Sequence, residues 1–121
     1  MKIVVAGSRK YKDYDEAKKY IDECISELAP DEVVVISGGC SGADMLGERY
    51  AEECGLKVKR IKAEWSKYGK AAGPIRNKIM AKESDTVICF WDGVSTGTRS
   101  MIEEAKKEGT RVFVKLVSIP D

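Results

Sequence analysis

Short apolar runs without polar alternation constrain what this chain can become more than anything else in it. Ile3-Val4-Val5-Ala6, Val33-Val34-Val35-Ile36, Thr86-Val87-Ile88-Cys89-Phe90-Trp91 and Val112-Phe113-Val114 are of this kind. A strand with one wet face alternates apolar and polar residues; one covered on both faces does not. A further strand, around Val58 and Ile61, alternates with basic residues and suits a sheet edge.

Between these runs the period changes to that of a helix. Ala17, Ile21, Cys24, Ile25 and Leu28 follow a cap at Asp15 and stop at Pro30. From about Gly42, a helix carries Ala43, Leu46, Gly47, Tyr50, Ala51 and Cys54 on one face and ends at Gly55. Pro74 fits the first turn of a helix through Ile75, Ile79 and Met80. Thr98 opens the last one, with Met101, Ile102 and Ala105, ending near Gly109. Strands alternating with helices predict an α/β, Rossmann-like three-layer fold with a five-stranded parallel sheet of order 3-2-1-4-5 and right-handed crossovers. With 121 residues there is room for one core, so residues 1–121 are expected to be a single domain.

Lys plus Arg number 21 against 20 Asp plus Glu, a balance that argues neither for a nucleic-acid coat nor for a membrane-surface binder. Nucleic acid is therefore not expected as a partner, although Lys57 to Lys78 holds eight basic residues and the single acid Glu64. No apolar stretch reaches the roughly 18 residues of a membrane span, and no membrane partner is expected. Four scattered cysteines and no histidine predict neither a metal site nor a disulfide framework. They read as reduced thiols of a cytoplasmic protein, three in the core and Cys40 in a loop. No cofactor is indicated.

Three strand-end loops meet at the point where the proposed strand order reverses, which is where ligands bind in such sheets. They are Gly7-Ser8-Arg9, Ser37-Gly38-Gly39-Cys40-Ser41-Gly42-Ala43-Asp44, and Asp92-Gly93-Val94-Ser95-Thr96-Gly97-Thr98. Glycines let backbone N–H groups approach a phosphate, and the second and third loops each open a helix, whose N-terminus favours an anion. The expected ligand-binding residues are Gly7, Ser8, Arg9, Ser37, Gly38, Gly39, Ser41, Gly42, Asp44, Arg76, Asn77, Asp92, Ser95, Gly97 and Thr98. The segment from Trp65 to Gly73 reads as a mobile flap whose aromatics could stack on a base, though Trp65 taken alone reads as packing on the sheet edge. Ser41-x-x-Asp44 also fits a helix capping box that needs no ligand.

Taken in order, Gly7-Ser8-Arg9, Ser37-Gly38-Gly39, Gly42-Ala43-Asp44, Trp65 with Tyr68-Gly69-Lys70, Gly73-Pro74-x-Arg76-Asn77-x-x-Met80 and Ser95-x-Gly97-Thr98 resemble the YspA-like (YAcAr) branch of the SLOG superfamily. The superfamily takes its name from the DprA/Smf proteins and the LOG phosphoribohydrolases. The resemblance spans essentially the whole chain and implies a Rossmann-like domain for nucleotides or nucleotide-derived molecules. LOG enzymes resemble it through Arg76 and Met80 and through Gly97-Thr98, and nucleoside deoxyribosyltransferases through Asp92-Gly93 and Gly97-Thr98. In both groups the resemblance places the catalytic glutamate where this chain has Met101, and a thioether neither transfers a proton nor attacks an anomeric carbon.

The expected function is binding or sensing of a small nucleotide-like ligand. N-glycosidic cleavage through Asp44 or Asp92 is the alternative, and single-stranded nucleic-acid binding is the second. No catalytic residue is assigned, and the oligomeric state, a homo-oligomer included, is left open.

Overall fold

The computed structural model describes residues 1–119. In chain order it contains β1 (Lys2–Gly7), α1 (Tyr14–Leu28), β2 (Val34–Ser37), α2 (Ala43–Glu53), β3 (Lys57–Arg60), α3 (Trp65–Tyr68), a 3₁₀ turn over Gly69–Ala71, α4 (Ala72–Glu83), β4 (Thr86–Trp91), α5 (Thr96–Lys107) and β5 (Arg111–Leu116). All strand pairings are parallel, and the order is β3-β2-β1-β4-β5. This is the Rossmann-like α/β sheet that the strand pattern predicts.

The non-alternating runs have a direct cause. In β1, Ile3 and Val5 enter one core, shared with Tyr14, Ala17 and Ile21 of α1 and Tyr50 and Ala51 of α2. Val4 and Ala6 enter the other, shared with Met80 and Ala81 of α4 and Met101, Ile102 and Ala105 of α5. Both pleat faces are covered by helices, so every position along the strand is apolar. β3 carries one edge, and each of its four residues is exposed.

Local details depart from the sequence reading in three places. The cap of α1 is Asp13, whose Oδ1 accepts the Glu16 N–H at 3.1 Å, rather than Asp15, which lies inside the first turn. Cys54 is exposed at the end of α2, so only Cys24 and Cys89 are core thiols. The segment read as a flap is helical, passing through α3 and the 3₁₀ turn directly into α4. The helix read from Pro74 is present as α4, starting at Ala72, but its buried face is not the apolar one expected, and Ile79 is exposed. Ala72, Gly73, Arg76, Asn77, Met80 and Ala81 recur at helical spacing in burial, but two of them are strongly polar. Among the described residues, no helix is long and apolar enough to cross a membrane.

Candidate functional site

A cavity of about 560 Å³ opens at the carboxyl end of β1, on the sheet face covered by α4 and α5. Its lining includes Ala6, Met80 and Met101 from the core, Cys40 and Asp44, Arg9 and Arg76, Lys70, and the start of α5 from Ser95 to Thr98. The volume is within the range of small-molecule sites.

The start of α5 is kept open by the loop before it. Asp92 Oδ1 accepts the N–H groups of Val94 at 2.9 Å and Ser95 at 2.7 Å, while its Oδ2 accepts the Ser95 hydroxyl at 2.8 Å. These donors hold the Asp92 carboxyl below its usual range. The Ser95 hydroxyl also lies 3.0 Å from that of Ser8 and so does not cap its own helix. The first-turn N–H groups of a helix have no partner within it. Gly97 has only open space where a Cβ would stand. The arrangement leaves an uncapped, dipole-positive helix end at the cavity.

Arg76 reaches the same space from α4. Its Nε donates to Asn77 Oδ1 at 3.0 Å and its Nη1 to the Gly38 carbonyl at 3.0 Å, while Nη2 makes no hydrogen bond among the described residues. Asn77 in turn donates to the Gly97 carbonyl and the Ser100 hydroxyl, each at 3.3 Å, and ties Arg76 to α5. Asp44, on α2, is 5% exposed. Its Oδ2 accepts the Cys40 N–H at 3.2 Å, so it serves the loop rather than a capping box with Ser41. Burial pushes the Asp44 carboxyl up to about 6, against the lowering influence of that N–H, Arg76 and Arg9.

Of the residues singled out in the sequence, Gly7, Arg9, Asp44, Arg76, Asn77, Ser95, Gly97 and Thr98 line the cavity together. Ser8, Ser37, Gly38, Gly39, Ser41, Gly42 and Asp92 do not. The glycines of the second loop face the protein itself. A Cβ at Gly38 would stand 2.6 Å from Arg76 Nη1 and 2.8 Å from Asp44 Oδ2, and one at Gly39 would stand 3.0 Å from the Arg60 side chain. Gly42, at φ +78, presses on the backbone carbonyls of Ser8 and Arg9. Ser37 is fully buried and donates its hydroxyl to Glu48 at 2.6 Å. Lys70, Gly73 and Ser100 line the cavity without having been singled out as ligand residues. Trp65, at 52% exposure, also lines it, its ring 3.4 Å from where a Gly73 Cβ would be, instead of packing on the sheet edge.

The fold recurs in DNA processing protein A (DprA) from Streptococcus pneumoniae, with a TM-score of 0.73 and 25% identity over 99% of this chain and 52% of that one. The chain thus spans about half the length of the pneumococcal protein. It recurs also in DprA from Helicobacter pylori, with a TM-score of 0.71, 21% identity, and coverage of 100% of this chain and 68% of that one. The structure of the H. pylori protein concerns its binding of single-stranded DNA. This corrects the expectation that set nucleic acid aside as a partner. That expectation rested on net charge, which says nothing of how charge is placed on a fold shared with a strand-binding protein. In sequence, the chain is 34% identical to the Gene 61 protein of Mycobacterium phage D29, over 93% of this chain and 94% of that protein. Residues 1–68, from β1 through α3, match the model of the YspA, cpYpsA-related SLOG family, and with the phage relative aligned over nearly its whole length, the chain belongs to that family.

Proposed function

We propose that this chain is a binding module for a nucleotide or nucleotide-derived ligand. The observation that carries the reading is the convergence of an uncapped α5 N-terminus with Arg76 and Arg9 in one cavity. A phosphate would take the first-turn N–H groups of α5 and the unpaired Nη2 of Arg76. A base would lie against Trp65 at the rim. Gly97→Asp tests this without disturbing the fold, because the added side chain meets open space and an acid in a helix's first turn is favourable. Titration calorimetry against a panel of nucleoside mono-, di- and triphosphates should give one-site binding to the wild type and none to Gly97→Asp, with no loss of stability in the variant. Failure of every nucleotide to bind the wild type overturns the reading.

A second reading is single-stranded DNA, and the shared fold with DprA favours it. Lys57, Lys62, Lys67, Lys70 and Lys78 are exposed and form no ion pair among the described residues, whereas Lys59 and Arg60 are paired with Glu83 and Glu48. A strand lying on these lysines would release counterions, so affinity for oligo-dT measured by anisotropy would fall steeply with salt. A flat salt response, or no binding, removes this reading.

A further inference from the structure

The Asp44 carboxyl is the one acidic group among the described residues that line the cavity, and it is under-bonded. Its Oδ2 takes a single N–H at 3.2 Å, and Oδ1 takes no hydrogen bond among the described residues. No cation lies within ion-pair distance of it there. Tyr14 Oη is the fully buried side-chain polar atom left without a partner among the described residues, so Asp44 Oδ1 is not sealed in, and Asp44 is a lining residue of the cavity. A side chain 5% exposed therefore presents an unfilled acceptor to the space where a ligand would sit.

The missing partner is a hydrogen-bond donor. A fully ionised phosphate brings none and would be repelled. Nucleotides carry donors on the sugar and on every base. A base stacked on the exposed Trp65 would sit at the rim, whereas Asp44 is buried. With phosphate at the α5 end and base at the rim, the sugar spans the interior. Resting on the nucleotide reading above, we infer that Asp44 is the acceptor for ribose hydroxyls and that the cavity selects nucleotides with a free 2′,3′-diol. An internal nucleotide of a strand has its 3′ oxygen esterified and fails this requirement.

The charged and titratable groups around Asp44 come from each neighbouring element. They are Arg9 after β1, Glu48 on α2, Arg76 on α4 and Cys89 on β4, whose buried thiol is pushed up to about 12. From α5 the cavity receives Thr98, Ser100 and Met101, none of which titrates. Asp44 is thus the group whose charge changes in mildly acidic solution.

The test is calorimetric titration of the full chain with the four ribonucleoside monophosphates and their 2′-deoxy and 2′,3′-dideoxy counterparts. The ribose form should bind at least about tenfold more tightly than its dideoxy counterpart, the worth of one hydrogen bond to a charged acceptor. Asp44→Ala should reduce that ratio to near one, while dideoxy binding holds or tightens because a repelling charge is gone. Asp44→Leu, which likewise removes both acceptor oxygens at a similar volume, serves the same comparison should the alanine variant fail to fold. The ratio should also shrink on acidification from about pH 7.5 to about pH 5 as the carboxyl takes up its proton. Taking a ratio cancels the titration of the ligand's own phosphate, which lies near about pH 6. Equal binding of ribose and dideoxy forms by the wild type overturns the inference and leaves the nucleotide reading standing. A ratio that Asp44→Ala and Asp44→Leu leave unchanged overturns Asp44's role. No binding of any monophosphate removes both.

Discussion

Asp44, in the first turn of α2, and Asp92, in the loop before α5, are two carboxylates whose surroundings push them in opposite directions. Asp92 sits at the surface with three donors around it and is held low; Asp44 is buried with one donor and is pushed up to about 6. Because native Asp44 holds its proton more tightly than the unfolded chain does, its contribution favours folding below about pH 4 and is lost as pH rises through about 6. At neutral pH the ionised group costs about 3 kcal/mol. Asp44→Asn should therefore raise the urea midpoint at neutral pH and leave it little changed near about pH 4. Asp92 has the opposite sign, since its stabilising bonds are lost as pH falls through its lowered pKa. Asp92→Ala should cost about 1–2 kcal/mol at neutral pH, and that difference should shrink in acid. A buried, under-bonded acid is an expensive residue to keep.

At the scale of elements, loops that look alike in sequence play different parts. Gly42→Ala places a Cβ on the Ser8 and Arg9 backbone at φ +78 and should destabilise by about 2 kcal/mol or more. Gly97→Ala meets open space in the first turn of α5 and should be neutral or stabilising by up to about 1 kcal/mol. Denaturant midpoints of the two variants check the contrast directly. Gly38 belongs with Gly42 structurally, but its neighbours are the side chains of Arg76 and Asp44, which line the cavity. The short helix α3 has no buried residue. Trp65→Ala should accordingly leave stability within about 0.5 kcal/mol while weakening nucleotide binding, as read by titration calorimetry.

On the scale of the whole molecule, the cavity joins segments that follow the three central strands of the sheet. Arg9 follows β1, Cys40 and Asp44 follow β2, Arg76 comes from α4, and Ser95 to Thr98 follow β4. A ligand touching all of them links segments that can otherwise open separately. At about a hundredfold excess over its Kd, a ligand adds about 2.7 kcal/mol. Thermal melts with the nucleotide that binds should shift upward by several degrees, and hydrogen exchange should slow at the starts of α4 and α5.

The sheet was legible because parallel strands buried on both faces leave an unmistakable record, as in Ile3 to Ala6 and Val87 to Phe90, and because connection handedness allows few orders for such a pattern. The meeting of three loops at the switch point followed from that order. The helical form of residues 65–71 was not legible, since Lys, Gly and Tyr there carry no apolar period and α4 buries Arg76 and Asn77. Nor could the sequence show which glycines face the cavity and which pack against the protein. The atoms filling the space at Gly38 belong to Asp44 and Arg76, and those at Gly42 to Ser8 and Arg9, and only the packed chain brings them together. Local patterning determined the elements and their order. Tertiary packing decided the site, because burial, pKa and open space are properties of neighbours distant along the chain.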